Sequence, residues 1–501
     1  MSENREEWAP LLADLERRRT EARAMGGPAK VERVRAAGRL PARDRVAELC
    51  DRGTFVEIGT LAGDGTAPAD AFIAGSGLVD GRPVLVGAED FTVAGGSIGT
   101  AGATKRARLA ALALQERVPL VLMLEGAGHR ATNALHLHRP APNDLQALVE
   151  LAGRVPTVVV VTGPSAGHGA LAAPLADHVI MVAGQGMLFT AGPPLVRASL
   201  GEDVDKETLG GAEVHAAHSG LAHEVAPDAR AALAAVRRWL SYLPANAWER
   251  PPHVAGPDTG PRPVEALLDL IPPNPRRPYD MRPVLAELFD AGSVTESQPA
   301  YGASVITALA RLGGHPVAVV ANQPNVLAGA IDVAAAEKAA RFVERAAAFH
   351  LPLVQLADNP GVLAGTASER AGILRAGARM FAAQHRAAVP KLHVTMRKAF
   401  GFGSSVMGQN AFGGQTLSLA LPGAVLGGIP AAVGGATAKA DERTREELVA
   451  TENSGPWRLA ATATYDEVVD PRELRSALLS GLRTVRRSGP VEPVTQVGYL
   501  P

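Results

Sequence analysis

Apolar residues along this chain fall into short unbroken runs closed by glycine and proline. Val158 to Val161 is four valines in a row, ended by Thr162-Gly163-Pro164. A β-branched run of that length predicts a strand buried on both faces, as in a parallel sheet, delivering its C-terminal end to a turn and a helix. That end is where α/β proteins place their sites. Val118 to Arg130 (VPLVLMLEGAGHR) predicts a second such strand and turn. Residues 71 to 105 predict two paired strands about the Asp80-Gly81 turn, then a glycine loop feeding a helix. Residues 5 to 24 predict an amphipathic helix with a charged outer face, a packing arm for the body.

The pattern occurs twice. Pro83 and Pro316, Gly96 and Gly329, Lys105 and Lys338, Pro119 and Pro352, and Gly128 and Gly361 are each 233 residues apart. Further on, Pro156 and Pro390, Gly167 and Gly401, and Gly169 and Gly403 are each 234 apart. A fixed separation over that length implies an internal duplication. Each lobe holds a strand, a helix near Lys105 or Lys338, a strand into a glycine turn, and a second strand into G-x-G. Residues 244 to 278 are rich in proline, so the expected division is a first lobe over 1–255, a linker over 256–278 and a second lobe over 279–501.

With 501 residues, two domains fit better than one core. Only 4% of residues are aromatic while 53 are Gly and 38 Pro, so the cores must be built from Ala, Val and Leu between tight turns. A formal net charge of −1 argues against a nucleic-acid binder. The single cysteine, Cys50, excludes a disulfide framework and a Cys-rich zinc site. No apolar run is long enough to cross a membrane and the start lacks a hydrophobic signal core, so the expected location is the cytoplasm.

Several residues are candidates for chemistry. Arg45 offers a cation for an anion, against the commoner reading of a solvated helix face. Gly95-Gly96 with Ser97 and Gly99 offers backbone N–H groups to a phosphate, against the commoner reading of a structural turn. His136 and His138 share a face if extended, but without a third ligand a metal site is not expected. Phe189 to His223 reads as a loop-bearing cap. Gly163-Pro164-Ser165-Ala166-Gly167 matches G-x-S-x-G, which would make Ser165 a nucleophile with Asp177 or Asp203 and His215, His218 or His223 as partners. The second copy carries Ala399 where the first has Ser165, yet keeps the glycines. A chemistry common to both copies is therefore a pair of backbone N–H groups at a Gly-led helix start, stabilising charge on a carbonyl oxygen. Two such holes suit a reaction in which two carbonyl compounds become enolate-like.

At these residues the chain resembles the carboxyltransferase (β) subunits of biotin-dependent acyl-CoA carboxylases of the propionyl-CoA and acetyl-CoA type. The likeness runs through GRLPARDRVAELCDRGTFVE, EDFTVAGGSIG, GPSAGHGA, FTAGPPLV, ANQPNVLAGAIDVAAAEKAARFV, DNPGVLAGT and AVPKLHVTMRKAFG, and covers nearly the whole chain. It implies an α/β fold of two homologous crotonase-like lobes and a hexamer. It also implies a reaction that moves a carboxyl group from carboxybiotin, on a separate carrier chain served by a biotin carboxylase, to the α-carbon of an acyl-CoA, with no protein base and no metal. The resemblance puts one oxyanion hole on the amides of Gly167 and His168 and the other on those of Phe402 and Gly403 beside Gly401. CoA and acyl contacts fall on Gly128, His129, Arg130 and Ser405, and the biotin side on Asn359 and Gly361.

Three pocket positions depart from the family pattern: His168, Phe402 and His129 stand where it has small residues. These leave a second reading, a biotin-independent decarboxylase or transcarboxylase of a malonyl-type thioester. Behind it come the serine hydrolase and a non-catalytic partner of a sister subunit.

Overall fold

The computed structural model describes residues 3–63, 67–135, 143–409, 415–485 and 491–493. The chain forms two compact units that divide between Ser241 and Tyr242. In the first, a seven-stranded sheet begins with antiparallel strands Val56–Ile58, Phe72–Val79 and Arg82–Glu89 and continues in parallel through Leu120–Leu124, Thr157–Val161, His178–Val182 and Glu224–Ala226. The expected strand pair about Asp80-Gly81 forms, with both turn residues at positive φ. Val158 to Val161 is buried on both faces, as a parallel strand covered by helices must be.

The second unit repeats this plan. Val305–Leu312 and His315–Asn322 are antiparallel, and Leu353–Asn359 and Lys391–Phe400 follow in parallel. Helix Thr100–Glu116 has its counterpart in Val333–Ala348. The buried lysines correspond too: Lys105 Nζ donates to the carbonyls of Ala69 and Phe72, and Lys338 Nζ to those of Gln298 and Tyr301. Burial is the main cause that lowers Lys105 to about 8 and Lys338 to about 7. The duplication legible in the spacing is thus present in strand order and buried polar groups.

Several expectations change. Helix Glu3–Arg23 forms, but only Ala22 is buried along it, and Trp8, Leu11 and Leu12 stay exposed. The stretch from Phe189 to His223, read as a loop-bearing cap, ends one strand and carries the helices Pro193–Leu200, Lys206–Gly210 and Val214–His218 between its loops. Arg45 is not on a solvated face; it is 1% exposed. Within the Pro-rich stretch 256–278, Val264, Leu267 and Ile271 join the core of the second unit. His136, His138 and residues 494–501 lie outside the described residues.

Candidate active site

Each unit ends its fourth principal strand in the same device. In the first, Pro164–Ala166 pairs in parallel with Met187–Phe189, and the chain then turns at Gly167 with φ 59°. In the second, the last residues of Lys391–Phe400 pair in parallel with Val425–Gly427, and the chain turns at Gly401 with φ 53° into helix Gly401–Val406. A left-handed turn at that point favours glycine, because a Cβ there approaches the following carbonyl. At Gly401 an added Cβ would also lie 2.6 Å from Gly428 O.

The turns leave amides open. The Gly167 N–H donates to Phe189 O at 3.1 Å and holds the turn. The N–H groups of His168 and Gly169, next in line, have no acceptor among the described residues. In the second unit Phe402 and Gly403 are in the first turn of a helix, where N–H groups precede any intrahelical acceptor. The open amides of His168 and Gly169 match Phe402 and Gly403 position for position. The equal spacing of Gly169 and Gly403 was the sequence signal for the match.

Close packing backs both turns. A Cβ on Gly128 would meet Ala166 O at 2.7 Å, and a Cβ on Gly403 would collide with Asn359 Oδ1 and meet Gly361 Cα at 2.7 Å. Asn359 is fully buried; its Oδ1 accepts from Gly361 N at 3.0 Å and its Nδ2 donates to Asn322 Oδ1 at 3.1 Å. The structure thus brings Asn359, Gly361 and Gly403 together, with Asn359 shaping the turn beneath the second hole. Ser405 is half-buried one turn into that helix. Arg130 ion-pairs with Asp70 at 2.6 Å and donates to Ser97 O at 3.0 Å. Gly96 sits against the Glu125 carbonyl, so the Gly95-Gly96 loop is a packed turn.

Behind each turn is a buried carboxylate that sequence reading missed. Glu125 directly follows strand Leu120–Leu124 and is held by Arg39 and by Arg45 at 3.0 Å, while Asp358, next to last in strand Leu353–Asn359, is held by Arg397 at 2.7 Å and Lys398 at 3.4 Å. Glu89 Oε2 accepts the Glu125 N–H at 2.5 Å, and Asn322 Oδ1 does the same for Asp358 at 3.0 Å. Burial raises the Glu125 carboxyl despite its two arginines.

Around the first hole the side chains are polar. His168 Nε2 meets Asp144 Oδ1 at 2.5 Å, and the His129 ring stands edge-on to His168 with centroids 4.4 Å apart. Burial raises the Asp144 carboxyl, but the His168 hydrogen bond and the Arg106 charge outweigh it and hold it below its ordinary value. Around the second hole the matching residue, Phe402, is 47% exposed and stacks on Phe381 at 5.7 Å.

The hydrolase reading fails on geometry. Ser165 is 0% exposed, in mid-strand, and its Oγ has no hydrogen-bond partner among the described residues. Asp177 serves Thr157 and His223 accepts from Val179 N, so neither is arranged as a triad partner. Cys50 is buried, which pushes its thiol up to about 11, so it is not a nucleophile either. Among the described residues no group of His, Cys, Asp or Glu is arranged to hold a metal, and no helix is long and apolar enough to cross a membrane.

Two duplicated α/β lobes, each ending a central strand in a glycine turn with open amides, define an enzyme of the crotonase-fold class. The match to known proteins narrows the class: the model of the carboxyl transferase domain family matches residues 33–489, and the chain belongs to that family. It is 35% identical to the methylmalonyl-CoA carboxyltransferase 12S subunit of Propionibacterium freudenreichii subsp. shermanii, over 98% of this chain and 97% of that one. It is 35% identical to the biotin-dependent acetyl-/propionyl-coenzyme A carboxylase beta5 subunit of Mycobacterium tuberculosis, over 98% of this chain and 95% of that one. It is 34% identical to the methylmalonyl-CoA decarboxylase subunit alpha of Veillonella parvula, over 93% and 94%. The solved hexamer of transcarboxylase 12S, with methylmalonyl-coenzyme A and methylmalonic acid bound, superposes with a TM-score of 0.89 at 33% identity, covering 98% of this chain and 99% of that one. The chain is a carboxyltransferase of the acyl-CoA carboxylase kind.

Proposed function

We propose that this chain is the carboxyltransferase subunit of a biotin-dependent acyl-CoA carboxylase, acting as a hexamer in the cytoplasm with a biotin carboxylase and a separate biotin carrier. Carboxybiotin is a substrate here, and the chemistry it supplies is a carboxyl group ready for transfer. The observation that carries the reading is the pair of duplicated turns with open amides, because two reacting carbonyls need two holes. A thioester carbonyl becomes an enolate oxygen as the α-carbon gains carbanion character, and two N–H donors in a preorganised turn stabilise that charge by roughly 3–4 kcal/mol per good donor. His168 and Gly169 supply one pair, and Phe402 and Gly403 the other. Gly167 and Gly401 set the turns. Gly128, His129, Arg130 and Ser405 line the CoA and acyl side, and Asn359 and Gly361 the biotin side.

The test supplies purified protein with acetyl-, propionyl-, methylmalonyl-, malonyl- and longer acyl-CoAs, with and without biotinylated carrier, biotin carboxylase, ATP and bicarbonate, and follows mass. Carboxylation that requires the complete system is the expected result and names the acyl group. Loss of CO2 from a malonyl-type ester with no biotin present would replace it by the second reading, a biotin-independent decarboxylase.

A further inference from the structure

The duplication supplies an internal control at the hole itself. His168 and Phe402 occupy the same position in two copies of one turn, and each contributes a main-chain amide to its hole. Only the first copy carries a titratable side chain there, and that side chain is built in. Asp144, 4% exposed, opens helix Asp144–Val149, whose start is capped by Asn143 Oδ1 accepting from Leu145 N at 2.9 Å. The carboxylate takes His168 Nε2, which leaves Nδ1 as the ring nitrogen available for chemistry; it has no partner among the described residues. The imidazole is 16% exposed, reachable by a ligand yet mostly shielded. A carboxylate on one ring nitrogen and a reactive group at the other is the arrangement that orients a general base.

We propose that His168 and Asp144 form a proton-transfer dyad that acts on an acyl thioester whose carbonyl oxygen lies in the first hole. This rests on the acyl-CoA reading above. His168 Nδ1 takes the α-proton: the Cα–H bond breaks, its electron pair moves into the enolate, and the negative oxygen is held by the His168 and Gly169 amides. The imidazolium exchanges its proton with water and returns one to the α-carbon, so atoms and charge balance with no other reactant. Asp144 is a positioning residue that fixes the ring. The His129 ring packs against the imidazole edge and restricts its rotation. The consequence is an activity independent of biotin, exchange of the α-hydrogens of an acyl-CoA with solvent.

The test incubates the full-length protein with propionyl-CoA in D2O, without biotin, ATP or bicarbonate, and reads α-deuterium by mass. The expected result is exchange well above a protein-free blank. His168→Gln lowers its kcat about 100-fold or more, with KM for propionyl-CoA changed by no more than about twofold. Asp144→Asn lowers kcat roughly 10-fold, and Asp144→Glu restores part of it, which a purely structural role for Asp144 would not do. A protein that carboxylates propionyl-CoA in the full system yet shows no exchange alone overturns the dyad and leaves the function standing. A protein that does neither overturns the acyl-CoA reading beneath it. Undiminished exchange in His168→Gln, or in Asp144→Asn if the former does not fold, also overturns the dyad.

Discussion

The two lobes solve one problem with different materials. Both must end a buried strand in a left-handed turn, keep two amides open, and neutralise a carboxylate behind the turn. In the first lobe the fit is less tight: a Cβ on Gly169 would lie 3.2 Å from Glu89 Oε1, a close contact, and 3.5 Å from Ser165 Oγ, and a Cβ on Gly167 no nearer than 3.6 Å from Thr190 O. In the second, Gly403 is clamped by Asn359 and Gly361, and Gly401 by Gly428 O. The first lobe brings Arg45 and Arg39 from upstream to Glu125, whereas the second uses Arg397 from the adjacent strand for Asp358. The position matching Arg397 in the first lobe is Gly163, where the strand breaks before Pro164. Duplication preserved the backbone task and left the side chains free to find separate answers.

The largest effects should come from that buried pairing. Arg397 is 1% exposed and also donates to the carbonyls of Pro272, Asn274 and Arg277, so Arg397→Ala strands three carbonyls and leaves the buried Asp358 to the longer pairing with Lys398 at 3.4 Å. The expected loss is about 3–5 kcal/mol of stability, read from the urea midpoint. Arg45→Ala should cost less, about 1–3 kcal/mol, since Glu125 keeps Arg39. Equal losses would mean that the two arrangements are not alternatives for one role.

Next come the hole glycines. Gly403→Ala should lower carboxylation about 100-fold or more, as expected for a displaced oxyanion donor, while Gly169→Ala falls short of that because its added Cβ meets Glu89 Oε1 at 3.2 Å rather than colliding with backbone at 2.7 Å. Reversed magnitudes in steady-state kcat would refute the contrast between a tight hole and a less tight one.

A smaller effect separates the buried lysines. Their charged forms are disfavoured in the fold, so the unfolded chain binds more protons and stability rises with pH between the folded value and the ordinary 10.5. The rise begins near 7 for Lys338 and near 8 for Lys105, at no more than about 1.4 kcal/mol per pH unit. Urea midpoints from pH 7 to 9 should flatten more for Lys338→Met than for Lys105→Met.

Smallest of all is Ser165→Ala. An unpartnered buried hydroxyl is replaced by hydrogen, so stability and carboxylation should stay near wild type. Abolished activity would revive the hydrolase.

Much of this was legible in the chain because duplication converts geometry into arithmetic. Spacings of 233 and 234 residues pair every strand that builds a site, and a run such as Val158 to Val161 has few other folds open to it. Three things escaped. Arg45 reads as a charged helix residue because nothing local shows that its partner is Glu125, 80 residues on. Asp144 follows an irregular stretch and gains meaning only from its contact with His168. At the first turn a motif marks Gly167 but does not show that its N–H is taken up by Phe189 O, which leaves the His168 and Gly169 amides open. Long-range polar pairing has no periodicity to betray it.

The open amides carry one more implication. A donor made of main chain cannot be deleted by exchanging the side chain attached to it, so positions 168 and 402 can drift without forfeiting the reaction. The side chains there are then free to vary, while the amides belong to atoms that every residue but proline possesses. Novelty at these positions is inherited with the old activity as insurance.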